Sequence, residues 1–125
     1  MENKELTKAE EQVMQYLWKI GKGFLKDIVE QFPLPRPAYT TVSTVIRVLV
    51  KKGFIGYNAY GKIHEYYPQI SKNDYFEHHL KSIITNYFHG SAPAFASFFA
   101  NEQLKLSELE EIKQMIEEKI KKLKK

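Results

Sequence analysis

The stretch Thr40-Thr41-Val42-Ser43-Thr44-Val45-Ile46-Arg47-Val48-Leu49-Val50-Lys51-Lys52-Gly53 decides the fold, because it can be read in two ways. Its density of β-branched residues favours a strand, since such side chains fit a pleated surface and are stiff at χ1. Its periodicity points the other way. Val42, Val45, Ile46 and Leu49 stand at i, i+3, i+4 and i+7, whereas strict alternation breaks at Thr40-Thr41, Ser43-Thr44 and Val45-Ile46. Periodicity is followed, and it predicts a helix over 39–52, with Lys51 and Lys52 near its C-terminal end and Gly53 in the C′ position.

On a helical wheel the side opposite the apolar stripe carries Thr40, Ser43, Thr44, Arg47 and Lys51, all uncharged or cationic. A helix that enters the major groove of DNA needs this chemistry. Hydroxyls exchange hydrogen bonds with base edges and phosphates, the threonine methyl suits thymine, and a guanidinium suits guanine or phosphate. Bases are read from the N-terminal half of such a helix, where Thr40, Thr41, Ser43 and Thr44 lie. The net charge of +4 is modest, but its distribution is not even: no acid stands between Glu30 and Glu65, while Arg36, Arg47, Lys51, Lys52 and Lys62 all do. A protein-interaction module on the same scaffold would present apolar residues on this face instead; that reading, or a DNA-architectural role, is the alternative.

Working towards the N-terminus, Phe24, Leu25, Ile28, Val29 and Phe32 suit a short helix over 24–32, which Pro33, Pro35 and Pro37 end. The alternate spacing of those prolines predicts an extended, stiff connection into the next helix. Before it, Thr7-Lys8-Ala9-Glu10 has the form of a capping box, and Val13, Leu17 and Ile20, with Met14 and Trp18, predict a helix over 7–20. Towards the C-terminus, Phe54 to Asn58 and Ile63 to Tyr67 flank a turn around Ala59-Tyr60-Gly61-Lys62 and predict a hairpin that Pro68 closes. The order of three helices and a hairpin is that of a winged helix-turn-helix. Its wing would bring Lys62 and the Tyr60 hydroxyl to the DNA backbone or minor groove.

Beyond Ser71 the pattern changes. Phe76, Leu80, Ile83 and Tyr87 form a helical stripe that Gly90 to Pro93 interrupts, and a short apolar segment, Phe95 to Ala100, follows. Ser107 and Glu110 then read as a second capping box, ahead of Leu109, Ile112, Ile116, Ile120 and Leu123 at helical spacing and a lysine-rich end over Lys119 to Lys125. Seams of this kind look for another helix. The stripe residues Phe76, Leu80, Ile83, Tyr87, Leu109, Ile112, Ile116 and Ile120 are therefore assigned to dimerisation. The aromatic residues among them, with Phe88, Phe95, Phe98 and Phe99, are read as interface rather than as a pocket for a small molecule, because a short arm cannot bury them alone.

With 125 residues, 43% hydrophobic and 14% aromatic, the chain suits one packed domain and an appendage. The division expected is a winged helix-turn-helix over 1–70 and a helical dimerisation segment over 71–125, mainly α with a small β wing. Cysteine is absent, which excludes disulfides and thiolate chemistry. Residues 1–12, charged at Glu2, Lys4, Glu5, Lys8, Glu10 and Glu11, resemble no signal sequence, and no apolar run approaches the roughly 18 residues of a membrane span. A cytoplasmic location is expected. His78 and His79 are adjacent and point to different helix faces, and His64 and His89 lack nearby ligands, so no metal is expected. No phosphate loop, nucleophile elbow or acid pair is found, so neither an enzyme nor a cofactor is expected.

From Leu6-Thr7-Lys8-Ala9-Glu10, Val13-Met14 and Leu17-Trp18, through Thr41 to Ile55, Gly61-Lys62-Ile63 and Tyr66-Tyr67-Pro68, to Leu106 to Ile112, the chain resembles the penicillinase repressors of the BlaI/MecI/CopY type. The resemblance implies a homodimeric repressor of an operon with the helix at 40–52 in the major groove and the C-terminal helices crossing between subunits. It further implies a dyad operator on double-stranded DNA with TACA/TGTA half-sites, a link to antibiotic resistance, and relief by proteolysis from a membrane-bound zinc-metalloprotease sensor. The family commonly carries Ser-Pro-Lys where Ala38-Tyr39-Thr40 stands here. An Asn-Phe bond cut in the best-known members aligns with Phe99 and Ala100, and the cysteines of the copper-responsive branch are absent.

Overall fold

Thr7 starts the fold. In the computed structural model, which describes residues 5–124, its hydroxyl accepts the Glu10 N–H at 3.2 Å and the Glu10 carboxylate accepts the Thr7 N–H at 3.0 Å. Two of the donors that a helix start leaves unpaired are thereby satisfied. Helix α1 (Lys8–Ile20) follows and buries Val13, Met14 and Leu17. Glu2, Lys4 and Lys125, named above for their charge, lie outside the described residues.

Two expectations for the next segment need correction. Gly23–Phe24 form a strand, β1, antiparallel to the hairpin, with Gly23 opposite Tyr66 and Phe24 opposite Glu65. A two-residue strand has no period of its own, so Phe24 read as the start of a helix. Its N–H instead donates to the Asp27 carboxylate at 2.9 Å and caps α2 (Leu25–Val29), which is shorter than 24–32. After α2 the N–H groups of Gln31 and Phe32 turn to the carbonyls three residues back, at 3.0 and 3.1 Å. The proline segment then bends at Phe32, Leu34 and Pro35 rather than running extended, and its Leu34–Pro35 bond is cis. Arg36 holds the bend: its Nε donates to the Phe32 carbonyl and its Nη2 to the Glu30 carbonyl, each at 3.0 Å. These carbonyls lie just past the helix end, where no following turn would pair them.

Helix α3 (Tyr39–Lys52) takes the predicted bounds and buries Val42, Ile46 and Leu49. Gly53 stops it at φ +87°, a conformation glycine adopts without Cβ strain, and lets the Phe54 N–H return to the Leu49 carbonyl at 2.9 Å. Strands β2 (Ile55–Tyr60) and β3 (Ile63–Pro68) pair antiparallel, with Tyr57 opposite Tyr66 and Ala59 opposite His64. The turn narrows to Gly61-Lys62, with Gly61 at φ +66°. With β1 the sheet has three strands in the order β1-β3-β2, so the wing is a hairpin with a short third strand against β3.

Val13, Met14, Leu17, Ile28, Val29, Phe32, Val42, Ile46, Leu49, Phe54 and Ile55 form one core, joined by Tyr75 from the first turn of α4 (Lys72–Phe88). The Tyr75 ring lies 5.8 Å from both Trp18 and Phe54, and the Trp18 indole donates to the Ile70 carbonyl at 2.8 Å. The chain divides into two compact units between His79 and Leu80, inside α4, because Tyr75 belongs to the first core.

The second unit contains the rest of α4, α5 (Ala92–Gln103) and α6 (Leu106–Leu123). The segment read as short and apolar is a full helix: Ser91 caps α5 by accepting the Ala94 N–H at 3.1 Å, with Pro93 in its first turn. The cap of α6 also differs from expectation. Glu108 accepts the Lys105 N–H at 2.9 Å, so the helix begins before Ser107, which lies inside the first turn and cannot act as its cap. Within this unit Phe88 meets Phe95 at 5.6 Å and Phe98 at 5.9 Å, and Phe95 stacks on Phe99 at 6.1 Å. Among the described residues no helix is long and apolar enough to cross a membrane.

Candidate nucleic-acid interface

The buried stripe of α3 fixes which side faces outward. Thr40, Thr41, Thr44, Arg47 and Lys51 are exposed and Ser43 is half-buried. The Thr44 hydroxyl donates to the Thr40 carbonyl at 2.9 Å and accepts from Arg47 Nη2 at 3.3 Å. This face also carries Val48, which the sequence reading merged into the apolar run; it is 38% exposed beside Thr41 and Thr44 and offers methyl groups of the kind that meet thymine. The helical wheel could have found it, since Val48 stands four residues after Thr44.

Tertiary structure sorts the five cations of the acid-free window. Arg36 is committed to backbone carbonyls, and Lys52 pairs with the buried Glu10 at 2.7 Å. Burial pushes the Glu10 carboxyl up, but hydrogen bonds from Lys52 and Thr7 and the charge of Lys52 outweigh it and hold the group below its ordinary value. Arg47 and Lys51 on α3 and Lys62 on the wing turn remain exposed. These three lie on α3 and the wing turn, whereas Arg36, also exposed, has its guanidinium turned to carbonyls of its own loop.

The wing presents different chemistry on its two faces. Tyr57 stacks on His64 with centroids 4.2 Å apart and planes at 10°, and Tyr66 meets Tyr57 edge-on at 6.2 Å. Burial raises the Tyr66 phenol above its usual range, as does Tyr57, while the charge of Arg47 opposes both. Arg47 is therefore within electrostatic reach of this face. Tyr60 belongs to the opposite face, 58% exposed and 6.3 Å from the Phe24 ring, so it does not join Tyr57 and His64. The sequence reading passed over Tyr57 and His64, although period-two alternation in the hairpin puts Tyr57, His64 and Tyr66 on one side.

Of the stripe assigned to dimerisation, Phe76 is 59% and Tyr87 76% exposed, and Ile116 and Ile120 are exposed as well. Leu80, Ile83, Leu109 and Ile112 are half-buried. Phe99 is exposed and Ala100 half-buried, both within the helical backbone of α5. Among the described residues no group of three or more His, Cys, Asp or Glu side chains is gathered to hold a metal ion.

A family model described as penicillinase repressor matches residues 6–118. The chain belongs to the penicillinase repressor family. It is 26% identical over 116 residues to the penicillinase repressor of Bacillus licheniformis, covering 91% of each chain. It is also 29% identical over 123 residues to the methicillin resistance regulatory protein MecI of Mammaliicoccus sciuri, covering 95% of this chain and all of that one. Among solved structures, the DNA-binding domain of the repressor BlaI superimposes with a TM-score of 0.51 at 25% identity, over 60% of this chain and 94% of that one. The winged-helix fold of the first unit is thus shared with a DNA-binding domain, and its repressor family supplies the context for the exposed face of α3.

Proposed function

We propose that this family member is a homodimeric transcriptional repressor that binds a dyad operator, with α3 in the major groove and Lys62 and Tyr60 of the wing on the sugar-phosphate backbone or in the minor groove. One observation carries the reading: an exposed, acid-free face of hydroxyls and cations on the third helix of a winged-helix domain. Thr40, Thr41, Ser43, Thr44 and Arg47 face base edges, and Lys51 faces phosphate. Two copies are required because one module makes few phosphate contacts, each worth about 0.9 in the salt slope of binding. The apolar seam of α4 and α6 joins them and sets the recognition helices about one DNA turn apart.

Gel retardation with DNA from upstream of the gene's own operon tests the assignment of α3. The wild type retards the DNA, and Thr44→Glu, which carries a carboxylate into the negatively charged major groove, abolishes retardation while leaving the circular dichroism unchanged. Binding that survives the substitution rejects α3 as the reading element. Repression is relieved, in the same proposal, by a membrane-bound zinc-metalloprotease sensor that cuts α5 at Phe99-Ala100. Helical exposure of Phe99 supports access, but the peptide must leave the helix to be cut. Peptide mapping after induction tests this: fragments ending within residues 98–101 support it, and an intact chain overturns it.

A further inference from the structure

Thr44 links the backbone of α3 to its one arginine. A hydroxyl has one proton and two lone pairs. Its proton is committed to the Thr40 carbonyl at 2.9 Å, so its oxygen presents a lone pair at a defined place on the helix surface, and Arg47 Nη2 takes it at 3.3 Å. The spacing of three residues suits this, because helical side chains lean back towards the N-terminus. The guanidinium consequently sits over Thr44, in the half of α3 from which helix-turn-helix proteins read bases. α3 itself carries no acid to take the charge, and the Tyr66 phenol senses it. A guanidinium carries five N–H donors; with one given to Thr44, four are left, enough for the paired contact to guanine O6 and N7. Lys51, a turn further on, lies towards the C-terminal end, where a point charge suits phosphate.

We propose that Arg47 reads one guanine in each operator half-site and that Thr44 is the residue that positions it. The inference rests on α3 being the recognition helix and adds the device by which it selects a base.

The test uses the full-length protein and a duplex selected from a pool with randomised half-sites, then varied one base pair at a time at fixed salt. For the wild type, one G·C pair per half-site costs about tenfold or more in affinity when replaced. Arg47→Lys flattens the penalty at that pair and leaves the others in place. Thr44→Val is isosteric and exposed, and keeps every charge; it lowers the penalty at the same pair to a few-fold without changing the salt slope, and Thr44→Ser restores it. A full guanine preference in Arg47→Lys overturns the reading by Arg47. A full preference in Thr44→Val, or equal weakening on every sequence, overturns positioning by Thr44. Absence of any sequence-dependent retardation by the wild type instead takes down the proposed function itself.

Discussion

The unit up to His79 and the unit from Leu80 onward treat their apolar side chains in opposite ways. In the first, α1, α2, α3 and the sheet enclose a core in which Met14, Leu17, Ile28, Ile46 and Leu49 have no exposure to solvent. In the second, α5 and α6 bury no residue, and Phe98, Leu106, Met115, Ile116 and Leu123 are each more than half exposed. A helix that is apolar on one stripe must bury it against another element, and α1, α2, α3 and the sheet do so for one another in the first unit, while much of the apolar surface of α5 and α6 stays uncovered within the chain. The contrast teaches a division of labour: one unit completes itself and can present a polar face, and the other leaves apolar surface exposed, where the proposed second copy would pack.

The largest effect expected from breaking this contrast comes from Ile116→Asp. A carboxylate in the proposed seam shifts the sedimentation mass to that of a monomer and lowers operator affinity by about 10²–10⁴-fold through lost bivalency, while the melting of the first unit stays in place. A persistent dimer moves the interface off α6. Next comes Ile46→Ala in the closed core, which lowers stability by about 2–5 kcal/mol in denaturant titrations and leaves the dimer mass unchanged under native conditions. A loss of only a few tenths would show that the first core is not the one that holds α3.

Glu10 gives a smaller and pH-dependent effect. Its carboxyl is held below its ordinary value in the folded protein, so its contribution is present above the unfolded value of 4.5 and is lost as pH falls through the folded one. Glu10→Gln lowers stability by about 1 kcal/mol at neutral pH and flattens the acid limb of the melting temperature below pH 4.5. An unchanged acid limb would assign the pH response elsewhere. The smallest effect belongs to the wing. Lys62→Ala weakens binding to all sequences alike and reduces the salt slope by about 0.9 per wing, with no change in base preference; a changed preference would make the wing a reader rather than a holder.

How far the sequence reveals these two units differs from element to element. The α3 boundaries were legible because Val42, Val45, Ile46 and Leu49 repeat at the helical period and Gly53 ends the run. The β1 strand was not, since Gly23 and Phe24 become a strand only by meeting Tyr66 and Glu65. Similarly, proline spacing suggested an extended connection, and the bend depends on an Arg36 side chain that finds carbonyls four and six residues back. On the recognition face, Thr40, Thr44, Arg47 and Lys51 could be placed from a wheel. The Tyr57–His64 stack escaped because aromatic residues in a hairpin are ordinary strand formers, and only the cross-strand register brings these two together.

By itself the sequence determined the helical identity of α3, its hydroxyl and cationic face, the hairpin, and the apolar stripes of α4 and α6. These follow from periodicity, strand-favouring residues and turn residues, which need only neighbours along the chain. Tertiary structure alone decided what these cations meet. Lys52 and Glu10 lie 42 residues apart, and the wheel that leaves Lys52 off the polar face does not reveal the partner that only the fold brings to it. Burial makes that pairing matter, because a carboxylate removed from water must find a partner, and the partner it takes is withdrawn from the surface that DNA would meet.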